Sequence, residues 1–183
     1  MVSLLLETLH SHIPILSLLW LFPVLFMFHD FEEILTVENW SGTNGDRIMG
    51  RLPPFARKLY GSSFRMNTRQ FAADVLWVYS IIVAVTVVAV FFSFYLPYLA
   101  VLAVFFLHVF THVGQSLYLR MYTPGVVTAV LLALPYSLYA YYRLLSERII
   151  DSGDIAASMS VVLVLAPVAL LLLVKGRQRQ NVS

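Results

Sequence analysis

Five stretches of the chain are apolar over long runs: residues 13–37, 71–94, 97–119, 125–142 and 155–174. Each comes close to or exceeds the roughly 20 residues that an α-helix needs to cross a bilayer. The breaks between them carry helix punctuation. Pro97 follows the second run, Pro124-Gly125 separates the third from the fourth, and Ser152-Gly153-Asp154 precedes the fifth. The pattern predicts an all-α fold, a polytopic membrane helix bundle of about five transmembrane helices. It forms a single integral membrane domain over residues 1–183, with no internal repeat and no sign of a second domain. The first run is expected to stay in the mature chain, because residues 1–12 contain no Lys or Arg and no small-residue cleavage site follows.

Composition agrees with that solvent. The chain is 60% hydrophobic and 12% charged, and its mean hydropathy is +0.80, far from the balance of a soluble domain. It has no cysteine, which excludes disulfides, thiolate metal sites and thiol nucleophiles. Any metal must bind through imidazole or oxygen.

Charge adds an orientation. Of the 12 basic residues, Arg47, Arg51, Arg57, Lys58, Arg65 and Arg69 lie in the 38–70 loop, Arg120 follows the third run, and Lys175, Arg177 and Arg179 are in the C-terminal tail. Only Arg143 and Arg148 fall on the other side of a five-span chain. The positive-inside bias therefore places the basic loop 38–70 and the C-terminus in the cytoplasm and the N-terminus outside. Basic residues confined to gaps between spans describe membrane topology and give no reason to expect a nucleic-acid partner.

Ionisable groups inside a span cost about 2.5–3.5 kcal/mol each on insertion scales, so each needs a partner or a purpose. The first run carries His29, Asp30, Glu32 and Glu33, and the third carries His108, His112 and Gln115. Residues three and four apart share a helix face, so His29 lies beside Glu32 and Glu33, and His108, Thr111, His112 and Gln115 form one stripe. If the two spans end near Val37 and Arg120, His29 and His112 both lie about 12 Å inside the cytoplasmic end. Asp74, early in the second run, is on the same side.

The expected site thus has metal ligands His29, His108 and His112, with Glu32 completing the shell. Glu33 or Glu32 would be the catalytic base, and Asp74 and Gln115 would hydrogen-bond the ligating rings. Neutral imidazoles with carboxylates suit a divalent metal, zinc first, with iron or haem as alternatives. Each residue alone reads more simply: a lone His bonds a neighbouring helix, and a Glu near a helix end reaches water. Glu7, His10 and His12 lie near the opposite face, and Tyr118, Tyr136, Tyr139, Tyr141 and Tyr142 read as interfacial aromatics. No Walker loop, nucleophile elbow or dinucleotide fingerprint is present.

The run His29-Asp30-Phe31-Glu32-Glu33, with His112 and Tyr122-Thr123-Pro124-Gly125 after it, resembles the HXXEE domain family of bacterial and archaeal membrane proteins over roughly residues 15–142. The motif maps onto His29, Glu32 and Glu33, the family's later histidine onto His112, and its Tyr-x-Pro-Gly turn onto Tyr122 to Gly125. The resemblance implies residence in a bacterial or archaeal inner membrane and a site of unknown chemistry.

Three histidines suggest a zinc hydrolase for an amphiphilic substrate, a membrane lipid or membrane peptide, with a constellation similar in ligands to the alkaline ceramidases. A glutamate-dependent intramembrane protease resembling the CAAX-processing type is a variant that lacks that group's Arg one turn after the Glu pair. A di-iron or haem oxidoreductase, and a carrier or sensor of metal or protons, use the same residues. The residues set no substrate and no oligomeric state.

Overall fold

The computed structural model describes residues 10–51, 53–54, 57 and 67–164, which are helical throughout apart from short connections. The first helix, α1 (Ile15–Arg51), is followed by α2 (Thr68–Phe92) and α3 (Leu96–Leu119). Then come the single turn α4 (Val126–Thr128), a π turn over Ala129–Ala133, and α5 (Leu134–Ser146). The shorter apolar α6 covers Ser152–Val164. Among the described residues three helices, α1, α2 and α3, are long and apolar enough to span a membrane.

The expected first span is longer than its apolar run. Helix α1 does not end at Val37 but continues to Arg51, a length of roughly 55 Å. Beyond Val37 the apolar run is replaced by a narrow packed stripe, since Ser41, Gly45 and Ile48 are buried at i, i+4 and i+7. Pro53-Pro54 follows the helix, and a residue preceding proline is steered away from helical geometry. Much of the expected loop 38–70 is therefore helix, and its residues 58–66 lie outside the described residues. The later part of the expected fifth span and the basic C-terminal tail also lie outside them.

The remaining boundaries follow local chemistry. Asn67 and Gln70 form a capping box at the start of α2, and Glu38 of α1 accepts from both the backbone N–H (2.7 Å) and the hydroxyl of Thr68. Helix α3 closes with Arg120 in the left-handed region and Met121 N–H bonded to the Ser116 carbonyl at 3.2 Å, as in a Schellman ending. The fourth predicted run is one helical stretch widened by the π turn. Pro135 cannot donate to the carbonyl four residues back and its ring crowds it, which accounts for irregularity in the preceding turn.

Aromatic rings fill the interior between α1, α3 and α5. Phe22 packs on Tyr98, Phe105 and Tyr136, with centroids 5.4, 5.4 and 6.0 Å away. Tyr136 is a core residue here and not an interfacial one. Its hydroxyl bonds that of Tyr98 at 2.8 Å and donates to the Leu18 carbonyl at 3.0 Å, which lets a buried phenol keep its hydrogen bonds. One layer further along α1, Phe105 lies edge-on to His29 at 5.7 Å. The aromatic core is the floor of the polar cluster.

Candidate metal centre

His29 and Glu33 are four residues apart on α1, and His108 and His112 are four apart on α3, so each helix offers two side chains on one face. The structure brings these four together, with one ligand atom from each within 4.8 Å of all the others. The His108 and His112 Nε2 atoms are 2.7 Å apart, and Glu33 Oε1 lies 3.1 Å from His112 Nε2 and 4.0 Å from His108 Nε2. The His29 ring is 5.0 Å from that of His112 and 5.5 Å from that of His108.

The cluster could hold a metal ion. Two Nε2 atoms at 2.7 Å either share a proton or both present lone pairs to a cation, which at ~2.0–2.1 Å per bond would part them to roughly 3.3 Å. His29 shows a further need. Its Nδ1 is bonded to Thr128 Oγ1 at 2.9 Å, while its Nε2 is fully buried with no hydrogen-bond partner. Buried polar atoms in native folds are nearly always satisfied, and a cation bound by the cluster would satisfy this one. His112 is buried like His29, but the His108 side chain is 43% exposed. The centre therefore opens along α3, where Val104, Leu107 and Phe110 are exposed beside it.

Glu32 is elsewhere. An α-helix advances 100° per residue, so Glu32 and Glu33 flank His29 on opposite sides and face different neighbours. Oε2 of Glu32 accepts from the Thr128 backbone N–H (2.7 Å) and hydroxyl (2.6 Å), and Oε1 from the Tyr122 hydroxyl (2.8 Å) and Val127 N–H (3.3 Å). It thus satisfies amide groups that the start of α4 leaves without helical partners, where negative charge is favoured. The expectation that Glu32 completes the metal shell or acts as base does not match this placement.

Asp74 is half-buried on α2, outside the four-residue cluster, and Gln115 is exposed on α3. Gln115 falls nearly in line with His108 around the helix axis but about 10 Å further along it, beyond His112. The exposed Gln115 is not in place to fix a ligating ring. Thr128 holds that position for His29.

The Tyr122–Gly125 connection closes the centre. Trp40 donates its indole N–H to the Tyr122 carbonyl at 2.7 Å, and Thr123 is buried. Gly125 has φ +83°, and a Cβ there would lie 2.6 Å from His112 Cε1 and 2.7 Å from Glu33 Oε1. Only glycine combines that backbone with that approach. His112 lies roughly 12 Å along α3 from Arg120, yet Gly125 touches it. The chain turns back into the bundle, and α4 begins at the level of the cluster.

A family model described as a protein of unknown function with HXXEE motif matches residues 20–140. The chain belongs to this family. In this HXXEE protein the named motif divides by role: His29 and Glu33 enter the cluster and Glu32 holds the incoming α4. No curated protein and no solved structure gives a match.

Proposed function

We propose that this HXXEE protein is a metal-dependent intramembrane hydrolase acting on an amphiphilic substrate, a lipid or membrane peptide, at the cytoplasmic leaflet. The observation that carries the reading is the convergence of His29, His108, His112 and Glu33 around a buried imidazole nitrogen without a partner. Three imidazoles suit Zn²⁺ with an open position for water. One carboxylate in the cluster is few for two irons. The rings of His29 and His112, with centroids 5.0 Å apart, are too close to lie on opposite faces of a haem.

The three histidines would hold the cation, which would supply a Lewis acid and a water of lowered pKa. Glu33, at the edge of the cluster, takes the proton of the attacking water and passes it to the departing amine or alcohol. The water oxygen bonds the carbonyl carbon as the carbon–nitrogen or carbon–oxygen bond breaks. Glu32 and Thr128 orient the cluster without touching substrate. The exposed edge of His108 beside Leu107 and Phe110 suits approach from the lipid side. The same reading takes a five-span chain with its N-terminus outside and its C-terminus in the cytoplasm of a bacterial or archaeal cell. The supporting observation is the ten-to-two distribution of basic residues.

The test compares wild type and Glu33→Gln after incubation with a membrane lipid extract, read by mass spectrometry. Wild type should release hydrolysed products, and Glu33→Gln should keep its metal while losing turnover by about 10²–10⁴-fold. Products that gain oxygen or lose hydrogen would make it an oxidoreductase, and an unchanged extract with metal uptake into vesicles would make it a carrier.

A further inference from the structure

Thr128 Oγ1 has three polar neighbours: Glu32 Oε2 at 2.6 Å, His29 Nδ1 at 2.9 Å and the Gly125 carbonyl at 3.4 Å. A hydroxyl has one proton to give. The Gly125 carbonyl can only accept, and Glu32 is already the acceptor for two backbone N–H groups and the Tyr122 hydroxyl. The threonine proton therefore goes to an oxygen, and in the bond to His29 the hydroxyl accepts. His29 must then carry its proton on Nδ1, which leaves the Nε2 lone pair facing the cluster. That is the same buried Nε2 that has no partner.

We infer that Thr128 is a positioning residue that fixes the Nδ1–H tautomer of His29 through a Glu32–Thr128–His29 chain and so presents Nε2 as a ligand. The device resembles in logic the carboxylate that orients a ligating histidine, with a hydroxyl placed between. It also links the metal site to the fold, since the carboxylate that receives the Thr128 proton holds the first amides of α4. A shift of α4 would move Thr128 and release the His29 ring. Thr111 has a weaker counterpart on α3. Its hydroxyl donates to the His108 carbonyl at 2.7 Å and lies 3.2 Å from His108 Nδ1, so it too leaves an Nε2 for the centre.

The tautomer does not require a metal, whereas its consequence for affinity rests on the metal reading above, and the experiment separates the two. Full-length protein in detergent, labelled with ¹⁵N-histidine and freed of metal, is compared by long-range ¹H–¹⁵N correlation, with His29→Ala assigning the ring. Wild type and Thr128→Ser should show His29 protonated at Nδ1, and Thr128→Val should lose that preference. Co²⁺ titration followed by visible absorption should give about 10–100-fold weaker binding for Thr128→Val and near-native binding for Thr128→Ser. If Thr128→Val does not purify, Thr128→Ala against Thr128→Ser makes the same comparison. A Thr128→Val protein with the wild-type tautomer and affinity overturns the inference. A Thr128-dependent tautomer in a protein that binds no Co²⁺ upholds it and overturns the metal reading.

Discussion

Among the described residues, the polar cluster around Arg143 is complete and the one around the three histidines is not. Around Arg143 every demand is met. Its Nε and Nη2 donate to Glu147 Oε1 at 3.0 and 2.5 Å, and Nη1 donates to the Tyr139 hydroxyl at 2.9 Å and the Ile13 carbonyl at 3.0 Å. One positive charge meets one negative, and the carbonyl beside the break at Pro14 gains a donor. At the other cluster three imidazoles and Glu33 crowd together, Nε2 of His29 is unpartnered, and Asp30 Oδ2 is buried without a partner as well. Buried polar groups favour a fold when fully satisfied and oppose it when they are not. The Arg143 cluster therefore reads as architecture, and the histidine cluster as a site made for something else.

The largest expected effect breaks the two apart. Saturating Zn²⁺ should raise the thermal midpoint of wild type, because a ligand at 100 times its Kd stabilises the native state by about 2.7 kcal/mol. His112→Ala should lose that rise while still purifying, since membrane helices associate mainly by packing. Arg143→Met should lower the midpoint and keep the rise, having removed hydrogen bonds that serve the fold alone. A Zn²⁺ response lost equally in both variants would erase the distinction.

A smaller effect sharpens it. Gly125→Ala should displace Glu33 and His112, whose atoms its Cβ would meet at 2.7 and 2.6 Å. It should weaken Zn²⁺ binding more than it lowers the metal-free midpoint, where the cost is about 1–2 kcal/mol for the left-handed backbone. Calorimetric titration beside a melting curve measures both, and unaltered affinity would place the Tyr122–Gly125 connection outside the centre.

Much of the helical layout was legible because membrane helices are written as long apolar runs. The common level of His29 and His112 was legible because helix rise is fixed. Spacing could also pair His29 with Glu33 and His108 with His112. It could not separate Glu32 from Glu33, because both lie within a turn of His29 and only the position of α4 assigns them different partners. Helix α1 runs past Val37 on a stripe of Ser41, Gly45 and Ile48, too narrow to register as apolar. Gln115 was misplaced by its neighbourhood to His112, and Tyr136 by its class, since tyrosines favour interfaces on average. Thr128 was overlooked as a lone hydroxyl in an apolar run. Its signal was its place three residues after Pro124-Gly125, where a helix begins and amides need acceptors.

The central claim is that the histidine cluster is a metal centre, and elemental analysis of the detergent-purified protein tests it most directly. Wild type should carry about one equivalent of divalent metal per chain, zinc with no visible absorption, as a tetrahedral site of three histidines would. His29→Ala and His112→Ala should each fall far below that. Wild type without metal after incubation with excess Zn²⁺, or the same occupancy in all three proteins, would contradict the account.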